Sequence, residues 1–166
     1  MFRRAPWLLS GLLLLSGLVS PARETDDPWI RGVFTGRSPR PVAATVSEAW
    51  QQASELAELI PGAFVLVGSG ASMQPLYAPG TILVLQQCAY EKLQPGQTAL
   101  YRNQAGKIVA HVLITRARDG WRATGLNNRI HDMEPVLSGN LVGVVIAAFQ
   151  PSRSSRSGPV VTASGL

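Results

Sequence analysis

Val65-Leu66-Val67-Gly68-Ser69-Gly70-Ala71-Ser72-Met73-Gln74-Pro75-Leu76-Tyr77-Ala78-Pro79-Gly80-Thr81-Ile82-Leu83-Val84-Leu85 is the stretch that decides the fold. Two apolar runs of strand length flank a turn of small residues, with one serine at its crest and a proline three residues on. Runs rich in Val, Ile and Leu that are broken by Gly and Pro read as strands joined by tight loops. The pattern continues outward. Ala63–Val67, Thr81–Gln86, Thr98–Arg102, Lys107–Arg116, Gly120–Gly125 and Leu141–Phe149 read as strands. Pro-Gly, Asn-Gln-Ala-Gly and Asp-Gly turns separate several of them. No strand alternates with a helix in βαβ fashion, so the expected class is mostly β, an antiparallel, barrel-like domain over residues 62–150.

Upstream, Thr45 to Ile60 has a helical period. Val46, Ala49, Trp50, Ala53, Leu56, Ala57 and Ile60 recur at three- and four-residue spacing, opposite Glu48, Glu55 and Glu58. Thr45 or Ser47 can cap the start, and Pro61-Gly62 stops it. Its acidic polar face argues against anionic lipid and for packing on the domain that follows. Arg23 to Ala44 holds three prolines, two glycines and several charges, and reads as a linker. Pro151 to Gly158 is rich in Ser, Arg and Pro, and 151–166 reads as a disordered tail.

The first 22 residues read as a signal peptide or N-terminal membrane segment. Arg3 and Arg4 are the positive end, Trp7 to Val19 is apolar, and Ser20-Pro21-Ala22 offers small residues for cleavage. The apolar run spans 13 residues, short of the ~20 that cross a bilayer as a helix. This predicts an exported, extracytoplasmic protein. Formal charge is +5, spread thinly and without Lys/Arg clusters interleaved with aromatics, which argues against nucleic-acid binding. Mild basicity favours contact with an anionic membrane surface. The single cysteine, Cys88, has no disulfide partner in the chain and no metal-ligand companions nearby.

The segment from Gly68 to Leu85 resembles the Ser-Met-x-Pro box of the signal peptidase I and LexA-like serine peptidases. Gly106-Lys107-Ile108-Val109-Ala110-His111-Val112-Leu113-Ile114 is similar to their base-bearing strand. Thr124-Gly125-Leu126-Asn127-Asn128-Arg129-Ile130-His131-Asp132 resembles the Gly-Asp-Asn-Asn…Asp segment of the ER-type branch, and Leu141–Val145 its final strand. The resemblance covers about residues 62–150 and implies a coiled, mostly-β fold with its active site in an edge groove. It implies Ser72 as nucleophile, His111 as base and Asp132 as the residue that orients the base. Gly70 and Ala71 would lie at the oxyanion site, and Met73 and Pro75 beside the substrate. The implied partner is an extended polypeptide, with no cofactor and no metal.

The residues carry part of this by themselves. Alternation along Lys107–Arg116 puts Lys107 and His111 on one face, about 13 Å apart, so only one can reach a given serine. Histidine serves as a base near neutral pH without the strong desolvation a lysine needs. A carboxylate on its far ring nitrogen fixes the tautomer. Asp132 also fits a turn residue, and Asn127 and Asn128 turn formers. His131 would point away from Asp132's side. The chain departs from the family pattern at Gly70, Ala71, Val112 and Leu126. Loss of one oxyanion donor can cost ~10²–10³ in rate, so a weakened or inactive peptide-binding module of the same fold is the alternative expectation.

Overall fold

The computed structural model describes residues 27–152. The targeting segment read at 1–22, the start of the linker and the tail beyond Ser152 lie outside the described residues. Within them, β1 (Trp29–Ile30) and β2 (Val33–Phe34) form a hairpin, followed by β3 (Val42–Ala44) and helix α1 (Val46–Leu59). The remaining strands are β4 (Ala63–Val67), β5 (Ile82–Gln86), β6 (Thr98–Arg102), β7 (Ile108–Ala117), β8 (Gly120–Thr124) and β9 (Leu141–Pro151). Strand makes up 39% and helix 13%, so the chain is mostly β with one helix. Among the described residues no helix is long and apolar enough to cross a membrane.

The main sheet runs β4-β5-β9-β6-β7-β8, with β3 added in parallel against β9 and every other pairing antiparallel. The long strand β9 ties the sheet together. It pairs with β5 on one edge and, in turn, with β6 and β3 on the other. Register shifts in the β5/β9, β6/β9 and β7/β8 ladders bend the strands. Gly143 lies at one such crossing, where a Cβ would stand 2.7 Å from the Gln86 carbonyl oxygen.

The expected barrel does not close. β4 and β8 are the two ends of the sheet and do not pair. Leu66 and Val67 of β4 instead face Ile108, Val109 and Ala110 of β7 across a groove of about 380 Å³. The gap holds the two edges apart, so a curled open sheet replaces the barrel.

Alternation divides the apolar residues of the sheet. Leu83, Leu85, Leu100, Val112 and Val145 form one cluster with Met73, Leu76, Tyr77 and Leu126. Ala99, Tyr101, Leu113, Trp121 and Ala123 form a second on the opposite face of β6, β7 and β8. Ile82, Val84 and Phe149 meet α1 through Ala49 and Ala53, both fully buried. Small side chains there let the helix lie close on the sheet. Trp50 and Val46, expected on the buried face, are 44% and 55% exposed. The alanine contact is too shallow to cover the wider stripe. A capping box starts α1, with Thr45 Oγ1 accepting from Glu48 N and Glu48 Oε2 accepting from Thr45 N.

The stretch read as a linker carries structure from Trp29 onward. Its prolines punctuate short strands, and Ile30 and Val33 pack against the first core cluster. Ser38 Oγ pairs with Thr98 Oγ1 and donates to Gly96 O, which anchors the segment on β6. The C-terminal boundary also shifts. Pro151 belongs to β9, and Ser152 N donates to Ala44 O.

Candidate active site

Residues 68–81 form a closed loop between β4 and β5. Gly68 N donates to Thr81 O at 2.9 Å and Gly80 N to Gly68 O at 2.7 Å, which pins the neck. Met73, Leu76 and Tyr77 bury their side chains in the core, and the Tyr77 hydroxyl donates to Pro39 O. Those anchors leave Ser72, the residue before them, half-buried at the groove wall. The tip is tightened by Gln74 N donating to Ala71 O and Tyr77 N to Met73 O.

His111 is presented by β7, where Val109 and Leu113 point to one cluster and Ala110 and Val112 to the other. β8 pairs with β7 only from Val112 onward, at Val112↔Thr124. The Ile108–His111 edge is therefore left without a partner strand among the described residues, and the serine loop approaches there. His111 Nε2 lies 3.1 Å from Ser72 Oγ.

Asp132 arrives by a detour. After β8 the chain turns at Gly125–Asn128, with Asn128 N donating to Gly125 O, and then runs back beside β8. Asp132 N donates to Ala123 O at 2.9 Å, and Trp121 and Val136 bridge beyond it. The carboxylate then lies over the β7 face, with Oδ2 2.6 Å from His111 Nδ1. Both side chains are largely shielded, at 9% and 17% exposure. An ionised carboxylate only accepts, so Nδ1 carries the proton and Nε2 is left to accept from the Ser72 hydroxyl.

A further residue enters here that the sequence reading did not single out. Tyr101, 1% exposed on β6, donates its hydroxyl proton to the same Oδ2 of Asp132. Its ring meets the His111 ring edge-on at 6.4 Å. Burial, then the bond to Asp132 and that residue's charge, push the phenol well above its usual range, so it stays a donor at neutral pH. The tyrosine on a strand was visible, but its meeting with Asp132 depends on the detour past β8.

The other expected site residues separate. Gly70 and Met73 line the groove with Ser72, while Ala71 and Pro75 are exposed and do not line it. The Gln74–Pro75 peptide is cis. The backbone N–H of Ser72 meets no acceptor among the described residues and is free for an oxyanion. Lys107 is exposed in the turn before β7, and its N–H bonds Asn103 Oδ1. His131 is exposed as well. Leu126, where the resemblance implies a carboxylate, is 2% exposed in the core cluster with Met73. Its side chain packs beneath the loop that carries Ser72. Asn127 N donates to Ser72 O at 2.7 Å, a backbone contact that goes beyond turn formation.

Among the described residues no cluster of His, Cys, Asp and Glu could hold a metal ion. Cys88 is partly buried beside the second core cluster, and that burial raises its thiol pKa. The arrangement at Ser72 can perform nucleophilic acyl transfer: a hydroxyl, a base in reach, a carboxylate behind the base and an open N–H. No protein-family model matches the chain, and no curated protein matches it significantly.

Proposed function

We propose that this chain is a serine endopeptidase of the signal peptidase I and LexA-like type, acting on extended polypeptides outside the cytoplasm. The observation that carries the reading is the continuous hydrogen-bonded line from Ser72 Oγ through His111 to Asp132, opening on an apolar groove. Residues far apart in sequence meet there in the order a hydrolytic triad needs. The groove also suits a peptide. It is flanked by the outer edge of β4 and the unpartnered edge of β7, and an extended chain can hydrogen-bond to such edges as an added strand. Met73, Leu83 and Leu100 supply an apolar floor for its side chains.

The steps follow from the positions. Ser72 Oγ attacks the scissile carbonyl carbon as His111 Nε2 takes the hydroxyl proton. Asp132 stabilises the imidazolium through Nδ1–H, and the Ser72 N–H donates to the oxyanion. His111 then passes its proton to the amide nitrogen, the C–N bond breaks, and the amine leaves. Water then gives a proton to His111 and attacks the acyl carbon; the bond from that carbon to Ser72 Oγ breaks, His111 returns the proton to Oγ, and the carboxylic acid product leaves. With one visible backbone donor at the oxyanion, this reading expects a modest rate.

The experiment is cleavage of a library of exported-precursor peptides by the full chain in detergent, with Ser72→Ala and His111→Ala beside it. A fluorophosphonate probe reports the nucleophile directly. Cleavage and Ser72 labelling in the wild type, both lost in the variants, are expected. A wild type that binds peptide but neither cleaves nor labels would make the chain a binding module instead.

A further inference from the structure

We infer that Arg31 is a positioning residue for the nucleophile, acting through Asn127. The inference rests on the peptidase reading. The β1–β2 hairpin closes with Ile30 paired to Val33, so Arg31 and Gly32 are its two central turn residues. Both have positive φ, 50° and 79°. Such a turn matches the twist of the hairpin, and its first central position favours Asn, Asp or Gly. A larger L side chain at positive φ crowds its own backbone. Arginine is therefore a poor choice for the turn, and Arg31 is the one non-glycine residue at positive φ among the described residues. A disfavoured residue in a sparsely populated conformation points to a task for its side chain.

The side chain has such a task. Arg31 Nη1 donates to Asn127 Oδ1 at 2.7 Å and lies 3.4 Å from Leu126 O. The backbone N–H of Asn127 in turn donates to Ser72 O at 2.7 Å. Ser72 is thus held at two points, its carbonyl by Asn127 and its hydroxyl by His111. The hairpin is a firm base for this clamp. Ile30 and Val33, on either side of the turn, pack on the core cluster that holds Met73 and Leu126. Thr35 N donates to Pro28 O, and Ser38 fastens the following chain to β6. Gly125 lets the 125–128 turn come close, since a Cβ there would stand 2.9 Å from Ser72 O. The guanidinium steadies the turn that steadies the nucleophile, and it touches neither substrate nor reacting atoms.

The variant that separates this role from a structural one is Arg31→Asn. Asparagine suits the turn better, so the melting temperature should hold or rise, while the link to Asn127 is lost. On a peptide that the wild type cleaves, kcat should fall about fivefold to tenfold with KM within about twofold, the scale of one charge-assisted hydrogen bond partly open to solvent. Fluorophosphonate labelling of Ser72 should slow in step, and hydrogen exchange at the Asn127 amide should quicken. Arg31→Lys, which keeps a donor cation, should recover part of the rate. A stable Asn variant with wild-type kcat, labelling and exchange overturns the positioning role and leaves the peptidase reading standing. So does an activity loss that only follows a fall in melting temperature. A wild type that neither cleaves nor labels overturns both.

Discussion

Gly125→Ala probes the geometry proposed for Ser72 most directly. Gly125 has no positive φ, so the backbone accepts alanine and only the added Cβ acts. That carbon would stand 2.7 Å from Asn128 Nδ2 and 2.9 Å from Ser72 O. Asn128 is exposed and its side chain can swing away. The Ser72 carbonyl, held by Asn127 N at 2.7 Å, cannot swing away alone and takes the rest of Ser72 with it when displaced. Carbon and oxygen settle at about 3.3 Å or more, so the carbonyl must retreat by ~0.4 Å. Ser72 Oγ and His111 Nε2 are 3.1 Å apart; the same shift takes them to about 3.5 Å, beyond a good hydrogen bond. Since a 1 Å misplacement costs ~10²-fold, this one should cost on the order of tenfold in kcat/KM. Overpacking should lower stability by about 1–3 kcal/mol. The assay pairs peptide cleavage and the rate of Ser72 labelling with a thermal melt, all kinetics being run well below the variant's melting temperature. Labelling at the wild-type rate in a folded Gly125→Ala protein would refute the proposed coupling between this turn and the nucleophile.

Three other outcomes follow from the structure. Tyr101→Phe removes the hydroxyl that shares Asp132 Oδ2 with His111, so kcat should drop about tenfold, the scale of one hydrogen bond to a charged group, while peptide binding is kept; unchanged kcat would show that His111 alone orients the carboxylate. Thr45→Ala removes the N-cap of α1 and should cost about 1 kcal/mol in denaturant unfolding. The capping box also makes stability depend on pH. Bonds from Thr45 hold the Glu48 carboxyl below its ordinary value. A depressed folded-state pKa contributes stability that is present above the ordinary glutamate range and lost as pH falls through the folded value. The stability difference between wild type and Glu48→Gln should therefore shrink below about pH 4, and a difference that persists at pH 2 would exclude the box as its source.

Strand positions were legible because side chains on a strand alternate and because Gly, Pro and Asn mark the turns. Ala63–Val67 and Thr98–Arg102 occupy the residues read for them, and the other strands differ by a residue or two at their ends. The helix was legible from its period and from Thr45, although an amphipathic stripe does not say how deeply it is covered, and Trp50 stayed out. Short elements escaped. Strands of two or three residues, such as Trp29–Ile30 and Val42–Ala44, carry too few residues for a period, and Val42–Ala44 holds only through its distant partner β9.

Of the candidate site, the residue types and their order along the chain were determined by the sequence: a serine on a small-residue turn, a histidine on a strand, an aspartate after an Asn-Asn turn. Their meeting was decided by the tertiary structure. Ser72 reaches His111 because β8 stops short of the Ile108–His111 edge, and Asp132 reaches it because the chain doubles back beside β8. Tyr101 and Arg31 joined the site unannounced for the same reason. Each acts across 31 or 96 residues of intervening chain, and the open groove depends on whether β4 meets the far side of the sheet. Periodicity reports only the few residues on either side of a position. Contacts at such separations, and the closure of a sheet, are fixed by strand order and register, which local pattern does not encode.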